Sequence, residues 1–216
     1  MSEILDRPLY EAYINGKRVG NDYFNPGITQ YDKNHMYAVY DVTSLISKGS
    51  NAIGVMLGDG WWSGNQTYVG KGWNYFGDRQ SLLTKMIITY EDGTSKIVVS
   101  KPNEWKYYNN GPVVYGNFFQ GEIYDATKEA AVKDWTKATY DDKNWKKASE
   151  VITKGTTNKK GEIFYFAGYK MMEWADFDDF DKTKLFTQPN EAVKPLQELT
   201  AKSVKEVRPG VFVYDM

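Results

Sequence analysis

Apolar and polar residues alternate over residues 9–15 and run into Asn15-Gly16, a dipeptide that favours a two-residue hairpin turn. Residues 36–42 are apolar or aromatic on both faces, the pattern of a strand covered on two sides. Residues 43–50 predict one helical turn or a loop, and 52–57 resume strand. Residues 82–90 and 95–100 flank Glu91-Asp-Gly-Thr94 and predict a second hairpin; 105–108, 113–115 and 118–124 continue the series. Helical periodicity is confined to 127–132. Short strands separated by glycine-rich turns predict an all-β chain, with an antiparallel jelly-roll β-sandwich over residues 1–152. Residues 153–161 are polar, basic and glycine-containing, and with the aromatic-acidic stretch that follows they read as an insertion or connection over 153–184. Residues 185–216 are expected to begin a second β domain that is truncated at Met216.

Composition narrows the function classes. The 216 residues carry 27 Lys+Arg against 28 Asp+Glu, so no electrostatic pull toward nucleic acid or an anionic membrane is expected. The chain has no cysteine, which excludes disulfides and thiolate chemistry. It has no apolar run of membrane-spanning length, and residues 1–8 lack the basic and apolar regions of a signal peptide. Aromatics make up 16% of the chain, which favours strands and carbohydrate surfaces over helices.

The stretch Gly58-Asp-Gly-Trp-Trp-Ser-Gly64 presents two adjacent tryptophans on a glycine-spaced turn. Flat rings held this way suit the apolar face of a sugar, and they suit a core equally well. Alternation allows Trp61 and Trp62 to face opposite sides, one inward and one outward. Trp73 and Tyr75 add further rings, with Asn65, Gln66, Asp78 and Arg79 as nearby hydrogen-bonding groups. Nucleophilic catalysis is not spelled out: Gly60-Trp-Trp-Ser-Gly64 is G-x-x-S-G rather than the G-x-S-x-G elbow. The single histidine, His35, reads as a surface or strand-edge residue. Gly70-Lys-Gly72 lacks the rest of a phosphate-binding loop. The acidic run Asp176, Asp178, Asp179, Asp181 lacks the glycine and distal glutamate of an EF-hand, and reads as a solvated loop.

Taken in order, several segments resemble the N-terminal β-sandwich region of bacterial α-L-rhamnosidases. They are Tyr10-Glu-Ala-Tyr-Ile-Asn-Gly-Lys-Arg-Val-Gly20, Asn25-Pro-Gly27, Tyr40-Asp-Val-Thr-Ser-Leu45, Gly58-Asp-Gly-Trp-Trp-Ser-Gly64, Phe76-Gly-Asp-Arg79, Gly121-Glu-Ile-Tyr-Asp-Ala126, Tyr140-Asp-Asp-Lys-Asn-Trp145 and Pro209-Gly-Val-Phe-Val-Tyr-Asp215. The resemblance implies a non-catalytic accessory sandwich, read as a fragment of a longer enzyme whose catalytic acids sit in a separate helical toroid. The parent would hydrolyse terminal α-L-rhamnosides. The implied partners are a rhamnose-containing glycan and the remainder of the polypeptide.

Candidate carbohydrate contacts are Asp32, Asn34, Trp61, Trp62, Asn65, Trp73, Tyr75, Asp78 and Arg79. The resemblance also implies calcium held by an Asp-Asn pair, with Asp32 and Asp78 as the candidate ligands. Lys33 follows Asp32, and its ammonium repels a dication, so no cofactor is expected. Two other functions fit the same residues: a structural inter-domain module without sugar binding, and an autonomous carbohydrate-binding or adhesion module.

Overall fold

A computed structural model of the chain describes residues 2–6, 9–31, 33–65, 73–74, 76–151, 163–166, 168–173, 184–189 and 191–216. The first half contains β1 (Ser2–Asp6), β2 (Leu9–Ile14), β3 (Lys17–Arg18), β4 (Asn34–Tyr40), β5 (Ile53–Gly58), β6 (Leu82–Thr89) and β7 (Ser95–Val99). Then come β8 (Lys106–Tyr107), β9 (Val113–Asn117), β10 (Gly121–Tyr124), the short helix α1 (Glu129–Val132) and β11 (Lys146–Lys147). The last strands are β12 (Ile163–Phe166), β13 (Tyr169–Glu173), β14 (Lys184–Thr187), β15 (Ser203–Arg208) and β16 (Val211–Asp215). The chain is nearly all β, as its alternation predicts.

Two sheets enclose the main core. One runs β14-β4-β1-β6-β7, antiparallel except for the parallel β14–β4 pair; the other runs β3-β2-β5. Along β2, Tyr10, Ala12 and Ile14 are buried at every second position. They meet Ala38 of β4 and Met86 of β6, with Val19 and Val42 closing the cluster. This is the packing of a two-sheet sandwich.

Local chemistry sets the turns. Asn15 and Gly16 both have positive φ, 52° and 84°, as a type I′ hairpin requires. Asn15 also ties this hairpin to the next loop: its side chain accepts from the Ala52 N–H and donates to the Leu45 carbonyl at 2.9 Å and to Asn51 at 2.7 Å. Among the described residues a D-x-T turn closed by hydrogen bonds from the threonine occurs three times. Asp41, Asp92 and Asp125 each accept from the hydroxyl and the backbone N–H of the threonine two residues on. Those bonds, the hydroxyl first, hold all three carboxyls below their ordinary pKa.

The structure departs from the sequence reading in four places. β1, where no strand was expected, lies in the middle of the larger sheet, paired with β4 on one side and β6 on the other. His35 is fully buried, not a surface residue. The strand expected over 118–124 is a hairpin: Asn117 Oδ1 accepts the Phe119 N–H and Gly121 takes φ 80°, which turns the chain at 118–120. Residues 196–207, expected as the strand entering the second β domain, are strand only from Ser203, where β15 begins. β14 is hydrogen-bonded into the first sheet, and Tyr23 bridges to Val193 beyond it. β15 and β16 pair with each other, with every residue exposed. Most of 153–184, including Asp176, Asp178, Asp179 and Asp181, lies outside the described residues, except for the β12–β13 hairpin.

Two measurements test this frame. Asn15→Ala removes three hydrogen bonds and disfavours the left-handed φ, so urea denaturation should show a loss of about 2–3 kcal/mol. Burial, reinforced by its 2.6 Å hydrogen bond to Glu11, pushes the Tyr13 phenol up to about 12. The folded chain thus keeps this phenol neutral to higher pH than an unfolded chain, where the value is 10.0. The stabilisation is therefore complete below pH 10.0 and is lost as pH rises to about 12. Tyrosinate absorbance should show a late ionisation that Tyr13→Phe removes.

Candidate carbohydrate surface

β5 ends at Gly58 and the chain immediately folds back on itself. The Ser63 and Gly64 N–H groups both donate to the Asp59 carbonyl, at 3.2 and 3.3 Å. Asp59 Oδ1 accepts from Ser63 Oγ and from Gln80 Nε2, and the Asn74 N–H donates to the Ser63 carbonyl. At position 64 a Cβ would lie 2.1 Å from the Gly60 carbonyl oxygen, so only glycine permits this approach.

The two tryptophans of the turn differ in burial. Trp62 is fully buried, its indole N–H donating to the Arg79 carbonyl at 2.9 Å. Its ring stacks on Phe76 at 6.1 Å and meets Tyr31 edge-on at 5.7 Å, with the His35 ring 6.5 Å away. Trp61 is partly exposed and lies against Phe118 at 5.5 Å.

The expected site residues separate accordingly. Trp62 and Asn65, at 0% and 1% exposure, belong to the interior and offer a ligand no surface. Trp73 is half-buried against Tyr115 at 5.8 Å. Asp78 and Arg79 are exposed and face each other at 3.6 Å. Asn34 opens β4, its N–H on the Gln30 carbonyl and its own carbonyl accepting from Thr29 Oγ, next to His35 at the edge of the buried rings. Asp32, Gln66 and Tyr75 lie outside the described residues. Of the two calcium candidates, Asp32 lies outside the described residues and Asp78 has the Arg79 guanidinium 3.6 Å away; no three acidic or histidine side chains gather among the described residues.

The structure adds residues that the sequence did not single out. Tyr115 and Phe118, from β9 and the turn after it, back the exposed faces of Trp73 and Trp61. Phe24 and Phe119 flank Phe118 edge-on at 5.6 and 5.4 Å; these three phenylalanines are 42–53% exposed. Asn117 beneath them is buried, its Oδ1 held by the Phe119 N–H. Phe118-Phe119 reads as strand interior in the sequence, and nothing in its spacing marks a surface ridge.

The two tryptophans should therefore separate experimentally. Trp62→Ala empties the centre of the ring cluster and should cost about 3–5 kcal/mol in urea denaturation. Trp61→Ala removes a partly exposed ring and should cost about 1 kcal/mol. Equal losses would place both rings in the core.

Comparison with known proteins gives a consistent family. The model of the alpha-L-rhamnosidase N-terminal domain matches residues 8–197. An alpha-L-rhamnosidase of Streptomyces avermitilis is 35% identical over 208 residues, covering 96% of this chain and 17% of that protein. One from Formosa agariphila is 37% identical over 147 residues, covering 66% of this chain and 15% of that protein. The crystal structure of the Streptomyces avermitilis enzyme complexed with L-rhamnose superimposes with a TM-score of 0.73 at 32% identity, over 99% of this chain and 18% of that one. The chain thus spans about a sixth of the length of the relatives it matches. It belongs to the α-L-rhamnosidase N-terminal domain family.

Proposed function

We propose that this chain is a non-catalytic accessory sandwich of an α-L-rhamnosidase, that it contacts rhamnose-containing glycan through the Trp61–Trp73 surface, and that it braces the rest of the polypeptide. The observation that carries this reading is the match to a small part of much longer rhamnosidases. Hydrolysis of terminal α-L-rhamnosides is the activity proposed for the parent. Glycoside hydrolysis needs a carboxylic acid held protonated by a raised pKa, beside a second carboxylate. Asp41, Asp92, Asp125, Asp134 and Asp141 all shift downward instead, each held by a hydrogen-bond donor. They suit turns, not acid catalysis.

Sugar contact is supported by rings of the right kind beside polar groups. Trp61 and Trp73 offer apolar faces, and Asp78, Arg79 and Gln80 offer acceptors and donors to hydroxyls. A single sugar makes few contacts, so its dissociation constant should be on the order of 0.1–1 mM. Bracing without sugar is a second reading, favoured by the phenylalanines at the ridge, which have no polar group for a hydroxyl.

Two assays decide. The purified chain should release no phenol from an aryl α-L-rhamnoside above a buffer blank; turnover abolished by a single carboxylate substitution ends the accessory reading. Titration calorimetry should show millimolar-range binding of L-rhamnose, unchanged by EDTA and weakened by Trp73→Ala. An absence of heat would leave the bracing role alone.

A further inference from the structure

Phe118 and Tyr115, the rings against which Trp61 and Trp73 lie, also line a much larger cleft. Asp59, Arg79, Gln80, Asn117 and Phe118 line one end of it. From there it follows β5 to the far side of the sandwich, with a volume of about 3180 Å³. Pockets for small ligands run to roughly 300–1,000 Å³, so a monosaccharide would fill only a fraction of it. β5 is the outer strand of its sheet and has six residues, giving a wall roughly 20 Å long. Gly54, Met56 and Gly58 face outward along it, small or unbranched and uncharged.

The far end of this cleft is built of rings. Trp135 lies directly over Gly54, where a Cβ would meet its ring at 2.4 Å. Trp135 stacks on Trp145 at 6.1 Å and 26°, and Trp145 on Tyr108 at 5.6 Å and 22°, forming a continuous aromatic floor. Tyr107, 43% exposed, also lines the cleft, with the Lys146 ammonium 5.9 Å from its ring; Lys106 beside it is neutralised by Asp142 at 2.7 Å. Charges of both signs line the cleft, so no charged ligand is selected. Flat apolar faces interspersed with hydroxyl-competent groups, in a channel several sugars long, match an uncharged oligosaccharide.

We infer that the cleft along β5 holds the extended chain of a neutral oligosaccharide, whose terminal sugar occupies the Trp61–Trp73 surface. This rests on the sugar-binding reading above and names its ligand as a chain instead of a single residue. Calorimetry of the intact chain with L-rhamnose and with an uncharged rhamnose-terminated tetrasaccharide tests it. The tetrasaccharide should bind about tenfold more tightly. Tyr107→Ala should abolish that gain, leaving L-rhamnose affinity and melting temperature unchanged, and Tyr107→Trp should retain it. Equal affinity for the two ligands, or a gain that survives Tyr107→Ala, overturns the inference while leaving the terminal-sugar site in place. Heat from neither ligand overturns the sugar-binding reading itself.

Discussion

The contact between Gly60 and Gly64 has no room for a Cβ, and the working end of the molecule is arranged around that limit. With the Gly60 carbonyl packed against Gly64, the Asp59 carbonyl is placed to accept two successive N–H groups, and the turn closes in seven residues. Trp62 goes inward and joins segments distant in sequence: Tyr31 and His35 from around the start of β4, Phe76, and the Arg79 carbonyl. Each of these packs on the same indole, so the loop around Phe76 and Arg79 is positioned by the turn instead of by sheet pairing. A wider turn would release Trp62 and the loop carrying Asp78 and Arg79 together.

A second constraint explains the acidic residues. Exposed turns need their backbone N–H groups satisfied, and a short carboxylate two residues upstream of a threonine does this with two bonds from one residue. Asp41, Asp92 and Asp125 occupy such positions, at the end of β4, between β6 and β7, and after β10. Their depressed pKa values reflect hydrogen bonds that are stronger to the ionised carboxyl than to the protonated one. Acidic residues placed in this way stabilise the connections between strands.

Most of the strand series was legible because burial on one face leaves a period of two, as at Tyr10, Ala12 and Ile14. The Asn15-Gly16 turn was legible because few residues tolerate two successive positive φ values. β1 was not: Ser2-Glu-Ile-Leu-Asp6 is too short to show a period, and its place between β4 and β6 is a property of the sheet. The D-x-T turns were spelled out in the chain and went unread. His35 was misjudged because a polar residue gives no sign that its neighbours are rings. At the candidate site, Trp61 and Trp62 were named, but which of them faces inward depends on Gly64. Tyr115 and Phe118 reach the site from a hairpin more than forty residues away, a juxtaposition no local pattern encodes.

The two tryptophans of the turn differ in how closely the fold holds them. The buried ring is held on all sides, by Phe76, Tyr31 and the His35 side, and by a hydrogen bond to main chain, so its environment specifies tryptophan closely. The other ring is partly exposed, lying against Phe118 and packed on the cluster of Tyr31, Trp62 and Phe76. Along β5, Ile53, Val55 and Leu57 pack on the core, and Gly54, Met56 and Gly58 alternate with them on the opposite face. Core-forming and outward residues thus occupy alternate positions of the same strand, which is what the period-two geometry of a sheet makes available.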